Sequence, residues 1–239
     1  MQPTELAAQN FETSLRANPY PGRGLVIGRS SESDWIILYW IMGRSTQSRN
    51  RRFVAEGQTL RTEPIDASLV IDPSLIIYEA MLDLPDVYLV SNGDQTRTVF
   101  DALSTGTAFD AALSTREREP DSPNFTPRIT GMLDLRKPSA QITLSMLKAN
   151  PIDSMLTDRY TFSLAIPAVG FGYGLTTYRG DGSPLPSFSG DPLLLPCEGN
   201  TYALLDRYWD ALNVDNRISL ALKHISSSGE VELLIRNRE

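Results

Sequence analysis

Apolar residues in this chain recur at helical spacing in three places and form strand-like runs almost everywhere else. Thr4 is placed to cap a first helix over residues 5–17, where Leu6, Ala7, Phe11 and Leu15 share one face before Pro19 and Pro21 stop it. Residues 24–28 and 34–42 are rich in Ile, Leu, Val, Trp and Tyr, and the polar stretch 29–33 between them predicts a hairpin. Further strands are predicted at 74–82 and 87–90 around a turn at 83–86, and Ser91-Asn92-Gly93-Asp94 closes the second with turn chemistry. Residues 95–116 have helical periodicity, broken near Gly106 into a helical pair that covers one sheet face. The segment 117–127 carries Pro120, Pro123 and Pro127, so it forms neither a helix nor a central strand and presents its side chains from a stiff loop. Strands follow at 128–135, 141–147 and 160–166, then a Gly/Pro-rich loop at 180–192. A helix at 202–212 precedes a closing hairpin of 218–225 with 231–236.

Strands outnumber helices and hairpins dominate, which predicts an α+β fold with largely antiparallel sheets packed face to face and helices outside. With no internal repeat or evident linker, residues 1–239 are expected to be one domain. The longest apolar run, Trp35 to Met42, is far shorter than the roughly 20 residues a membrane-spanning helix needs. The first 18 residues lack a signal-type apolar core, so no membrane association and a cytoplasmic location are expected.

Composition narrows the chemistry. With one cysteine and one histidine, Cys197 and His224, the chain has no intrachain disulfide and cannot supply a Cys/His zinc site. Both are expected to be structural, Cys197 as a small buried hydrophobe. Catalysis would fall to Arg, Tyr, Asp, Glu, Asn, Ser or Thr. The basic residues are 19 Arg and 3 Lys in a chain of net charge -7, and Arg23, Arg29, Arg44, Arg49, Arg51 and Arg52 lie close together in sequence. Arg holds phosphate or carboxylate in a planar, bidentate way, so a small anionic ligand in a pocket is expected. The alternative is that these arginines only pair with the surplus carboxylates. The overall negative charge argues against a nucleic-acid partner.

Five blocks, read in order, carry a resemblance. They are Asn18-Pro-Tyr-Pro-Gly-Arg-Gly24, Met42-Gly-Arg-Ser-Thr-Gln-Ser-Arg-Asn-Arg51, Asp72-Pro-Ser-Leu-Ile-Ile-Tyr78, Ser91-Asn-Gly-Asp-Gln-Thr96 and Glu119-Pro-Asp-Ser-Pro-Asn-Phe-Thr-Pro-Arg-Ile129. A weaker sixth is Asp181-Gly-Ser-Pro-Leu-Pro-Ser-Phe188. Together they resemble the IMP cyclohydrolase family of the archaeal type, including its bacterial members. The resemblance implies a four-layer αββα sandwich of two largely antiparallel sheets, similar to N-terminal nucleophile hydrolases. It also implies closure of 5-formamidoimidazole-4-carboxamide ribotide to IMP with loss of water in purine synthesis, with no metal or organic cofactor. The chain begins Met1-Gln2, so the covalent chemistry of a free N-terminal Ser, Thr or Cys is not expected.

In that reaction a carboxamide nitrogen, a poor nucleophile, attacks a formyl carbon of the same molecule. The enzyme must hold a near-attack geometry, move protons and stabilise an oxyanion. By analogy the catalytic Arg, Tyr and Glu correspond to Arg49, Tyr78 and Glu119: Arg49 stabilising negative charge, Tyr78 serving the departing oxygen, Glu119 moving protons. Arg23, Arg44 and Arg128 are candidates for phosphate or base contacts, and Ser45, Asn92, Asp94 and Asn124 for ribose or carboxamide hydrogen bonds. Asp121 either joins them or braces Arg128. The chain departs from the family at Arg97, where related proteins often carry an acidic residue, and that reverses charge beside the pocket if the side chain points inward. Two other readings stay open, a non-catalytic purine-ribotide binder and a related amidohydrolase acting on another ribotide. A homo-oligomer is compatible with exposed sheet faces and with the family analogy.

Overall fold

Two antiparallel sheets face each other because their central strands are apolar on both faces, one toward the opposite sheet and one toward covering helices. The computed structural model describes residues 1–70, 73, 76–136 and 138–238. The chain runs α1 (Pro3–Phe11), a π-helical turn (Glu12–Arg16), β1 (Gly24–Arg29), β2 (Trp35–Met42), α2 (Thr46–Arg49), β3 (Arg52–Glu56), β4 (Thr59–Glu63), β5 (Glu79–Leu84) and β6 (Val87–Ser91). It continues through α3 (Gln95–Ser104), α4 (Phe109–Leu113), β7 (Arg128–Asp134), β8 (Gln141–Ala149), β9 (Thr157–Leu164), β10 (Phe171–Thr176), β11 (Leu193–Pro196), α5 (Thr201–Ala211), β12 (Arg217–Ile225) and β13 (Val231–Asn237). One sheet has the order β11-β10-β1-β2-β12-β13 and the other β3-β4-β5-β6-β7-β8-β9.

Strand alternation sorts the apolar residues into three layers of core. Leu25, Ile27, Tyr39 and Ile41 meet Val90, Ile129, Leu133 and Leu144 between the sheets. Val26, Leu38, Trp40 and Leu222 face outward under Phe11, Leu15, Leu204 and Tyr208 of the terminal helices. Leu89 and Met132 face outward under Val99, Phe109 and Leu113. The continuous run of β2 is thus explained by burial on both faces.

Five segments come together at one end of this sandwich: 18–23 before β1, 43–51 after β2, 92–94 after β6, 117–127 before β7 and 177–192 after β10. The registers Gly24↔Trp40, Gly24↔Thr176 and Ser91↔Thr130 fix that convergence. Toward the other end the wholly buried Lys223 amine donates to the Asp83 carboxylate and to the Gln58 carbonyl, joining the two sheets. Burial lowers the Lys223 pKa and raises that of Asp83, each opposed by the partner's charge.

The structure departs from the sequence expectations locally. Gln2, not Thr4, occupies the N-cap of the first helix, with Pro3 in its first turn and the Glu5 carboxylate accepting from the Gln2 N–H. The strand expected from Ser74 begins at Glu79, and Ser74 and Leu75 lie outside the described residues. The hairpin β3–β4 and the strands β10 and β11 were not expected. Strand β10 contains Gly172 and Gly174, which weaken the sequence signal yet allow close packing. Gly28 and Gly172 are cross-strand partners, and Cys197 Sγ rests against the space where their side chains would be. Burial pushes the Cys197 thiol up to about 12, consistent with an unreactive packing group. His224 Nε2 lies 2.9 Å from Asp34 Oδ2. Among the described residues no helix is long and apolar enough to cross a membrane, and no cluster of three His, Cys, Asp or Glu could hold a metal.

A Cβ added at Gly28 would lie 2.6 Å from Gly172 Cα and 2.7 Å from Cys197 Sγ. Gly28→Ala is therefore expected to destabilise the protein by about 1–3 kcal/mol, read as a lower urea midpoint at unchanged m-value.

Candidate active site

The converging segments enclose a cavity of about 390 Å³, within the range of small-molecule sites. Its lining includes Tyr20, Arg23, Arg44, Ser45, Ser48, Arg51, Glu119, Asp121, Asn124, Thr126, Tyr178 and Leu185.

Arg23 enters from the segment before β1. Gly22 precedes it at φ +75°, and a Cβ there would lie 2.2 Å from Thr177 Oγ1 and 2.5 Å from the Tyr178 ring, so glycine is required for the chain to pass. The buried Arg23 guanidinium donates to Glu119 Oε2 at 2.8 Å and to the Asn92 carbonyl at 3.3 Å. Glu119 is held by its own N–H, which donates to the Thr126 carbonyl across the proline-rich loop. Burial raises the Glu119 pKa above the usual carboxylate range, with the Arg23 charge opposing it.

Thr126 donates its hydroxyl to Asp121 Oδ2 and lies 2.5 Å from the Tyr178 hydroxyl. Burial holds the Tyr178 phenol well above its ordinary pKa, so it stays neutral. Tyr178 stacks on Tyr20, with ring centroids 5.9 Å apart, and the Arg44 guanidinium lies 4.9 Å over Tyr20. Arg44 also pairs with Asp181, while Asn124 Oδ1 accepts from the Leu185 N–H at 3.0 Å. These two contacts tie the 180–192 loop to the opposite wall. Ser45 caps α2 by accepting from the Ser48 N–H, its hydroxyl donates to Ser48 Oγ and the Ser48 hydroxyl donates to the Ser45 carbonyl, so both serine hydroxyls have fixed positions on the lining.

Of the residues the resemblance pointed to, Arg23, Arg44, Ser45, Glu119, Asp121 and Asn124 line this cavity. Tyr78 lies behind it in the core between the sheets, its hydroxyl 2.7 Å from that of Tyr39. Arg49 is exposed and turned away, donating to the Gly43 carbonyl at 3.0 Å and to Asn216 Oδ1 at 3.4 Å. Asn92 is wholly buried, spending its amide on Pro127, Gln95 and Ile129, so it holds the loops rather than facing the cavity. Asp94 bridges Arg116 and Arg128 on a separate, shallower surface groove. Asp121 braces Thr126, and no Asp121–Arg128 ion pair is formed among the described residues. Arg97 pairs with Glu79 and Asp101 at the surface, so its reversed charge is compensated outside the cavity.

The sequence reading missed Tyr20, Thr126, Tyr178 and Ser48. Tyr20 and Thr126 sit inside the quoted blocks, and their side-chain chemistry was the available signal. Tyr178 lies outside every block, and only the register of β10 beside β1 brings it to the site.

The family model for IMP cyclohydrolase-like proteins matches residues 20–229. A protein of Methanothrix thermoacetophila named IMP cyclohydrolase is 33% identical over 121 residues, which cover 49% of this chain and 59% of the relative. Two proteins of the same name from Methanococcus maripaludis are 30% and 31% identical over 118 and 114 residues, covering 48% and 46% of this chain and 58% and 56% of the relatives. The match therefore spans less than two thirds of these relatives' length.

A carboxyl whose pKa is raised in the native state contributes stability that is present at acid pH and lost as pH rises through the native value. The stability of the native protein minus that of Glu119→Gln should thus fall as pH rises from the ordinary carboxylate range upward. Urea unfolding across pH 4 to 8 measures it; a difference that grows with pH would mean that Arg23, not burial, dominates.

Proposed function

Because the chain belongs to the IMP cyclohydrolase-like family, we propose that it closes 5-formamidoimidazole-4-carboxamide ribotide to IMP with loss of water. The observation that carries this reading is the buried Arg23–Glu119 pair in the wall of a cavity also lined by Arg44, Arg51 and serine hydroxyls. A ribotide needs one end of its site to hold a phosphate and the other to manage protons at a planar base.

Arg44 and Arg51 supply guanidinium donors for the phosphate, and Ser45 and Ser48 add hydroxyl donors once their protons turn from their bonds within α2. Asn124, on the proline-rich loop lining the same cavity, is available for a ribose or carboxamide contact. At the base end, Glu119 gives a proton to the formyl oxygen as the carboxamide nitrogen attacks, and Arg23 stabilises the negative charge that develops there. Arg49, implied for that role by analogy, would first have to leave Gly43 and Asn216. Arg23 needs no such move, so we assign the role to Arg23. Tyr78 acts from behind, its hydroxyl bonded to Tyr39 beside the Arg23 guanidinium. Asn92, Asp94 and Arg128 hold the loops that carry Glu119.

We also propose that residues 1–239 form a single domain, with a fold similar to N-terminal nucleophile hydrolases, acting in the cytoplasm on a small-molecule ribotide without a metal or organic cofactor. The core shared by both sheets and the helices outside them supports the single domain.

Mixing the protein with the formylated ribotide should produce IMP, followed by ultraviolet absorbance, equally well after chelator treatment. Glu119→Gln should lower kcat by about 100-fold or more, in the range for loss of a general acid–base group. Arg23→Lys, which keeps the charge but loses the guanidinium geometry, should lower kcat about tenfold or more. Arg49→Ala should leave kcat within about threefold. A large loss in Arg49→Ala beside a normal Arg23→Lys would reverse the assignment. Saturable ribotide binding without turnover would instead identify a binding protein.

A further inference from the structure

Proton transfer at the cavity has two ends: the formyl oxygen takes a proton from Glu119, one of whose oxygens is already bonded to Arg23, while the carboxamide nitrogen sheds one. The wall beside Glu119 contains a hydrogen-bonded chain whose direction is fixed by chemistry. Asp121 is tied by two bonds from Thr126: Oδ1 accepts from the Thr126 N–H at 2.6 Å, and Oδ2 accepts from the Thr126 hydroxyl. An ionised carboxylate only accepts, and a threonine hydroxyl has one proton. With that proton committed to Asp121, Thr126 Oγ1 must accept from the Tyr178 hydroxyl 2.5 Å away. The Tyr178 proton therefore points to Thr126, and the remaining lone-pair density of its phenol oxygen is free to accept a bond. Tyr178, Thr126, Asp121 and Glu119 all line the same cavity. The Tyr178 ring is fixed by stacking on Tyr20, and its N–H donates to the Pro21 carbonyl at 3.1 Å.

Resting on the cyclohydrolase reading, we propose that Tyr178, Thr126 and Asp121 form a directed proton relay that takes the proton from the attacking carboxamide nitrogen. The nitrogen forms its bond to the formyl carbon and gives its proton to the Tyr178 oxygen. The Tyr178 proton passes to Thr126, and the Thr126 proton passes to Asp121. The carbonyl π pair moves to the formyl oxygen, which takes a proton from Glu119. The ring then holds a hydroxyl, Asp121 is neutral and Glu119 is ionised. In the second step the carbon–oxygen bond breaks, and the hydroxyl leaves as water with the proton returned through Tyr178. The former formamide nitrogen gives its proton to Glu119 as the ring double bond forms. Both arms regain their starting state, and no further reactant is consumed.

The test is steady-state turnover of the formylated ribotide by four forms of the protein. Tyr178→Phe keeps the stacked ring and loses only the hydroxyl; Thr126→Val breaks the relay, and Thr126→Ser restores its hydroxyl. The relay predicts that kcat falls at least tenfold in Tyr178→Phe and in Thr126→Val, with KM within threefold of wild type. It also predicts that Thr126→Ser recovers most of the loss. Wild-type kcat in Tyr178→Phe overturns the relay while leaving the cyclohydrolase reading intact. If Thr126→Ser is as impaired as Thr126→Val, Thr126 serves packing and the relay is overturned. If Thr126→Val does not fold, Tyr178→Phe decides alone. A wild-type protein that makes no IMP overturns the cyclohydrolase reading and the relay with it.

Discussion

The arrangement of the site depends on placing one arginine and one glutamate together in the cavity wall, nearly buried. Arg23 belongs to the segment that starts β1 in one sheet, and Glu119 to the loop that leads into β7 in the other. Removing one partner of such a nearly buried pair leaves the other polar group without its hydrogen bond, at a cost of about 1–3 kcal/mol or more. The pair therefore constrains both sheets and the loops that carry it. Gly22 must be glycine for Arg23 to pass Tyr178, and Asn92 must be buried to hold the chain on the far side of Glu119. In exchange for that constraint, the Arg23 charge acts on Glu119, Tyr39 and Tyr178 from a single point.

The cavity divides its polar groups by position. Guanidinium and serine hydroxyl donors gather around the β2–α2 connection, and the carboxyl, threonine and tyrosine groups gather on the proline-rich loop and the end of β10. Arg44 and Asn124 reach across to Asp181 and Leu185, so the 180–192 loop is attached to both groups. A small anionic substrate with a planar, proton-exchanging end fits such a division, because each end of the molecule meets the chemistry it needs. The distant Lys223–Asp83 pair joins the sheets toward the opposite end and lies outside this cavity.

Most of the scaffold was legible because its strands are either continuously apolar, as in β2, or bounded by clear turns, as in β12 and β13. The helical pair and its break at Gly106 were equally plain. What escaped detection has specific causes. Strands β3 and β4 carry charged residues on an edge of the sheet, so Arg52, Glu56, Arg61 and Glu63 obscure the alternation. Strand β10 hides behind Gly172 and Gly174, whose value is the close approach to β1. The site was legible where a motif carried it: Arg23, Arg44, Ser45, Glu119, Asp121 and Asn124 all line the cavity. Arg49 and Tyr78 share motifs with lining residues yet face elsewhere, since a motif fixes a neighbourhood and not the direction of a side chain. Tyr178 depended on strand register, which one sequence does not encode locally.

In the proposed reaction Arg23 and Glu119 act as one unit. The most direct measurement is a double-mutant cycle on kcat/KM for IMP formation, using Arg23→Lys, Glu119→Gln and the combined variant. A single unit predicts strong non-additivity, with the double variant losing little more than the worse single variant. Losses that multiply would mean that the two residues act independently and that the pair is not the catalytic unit.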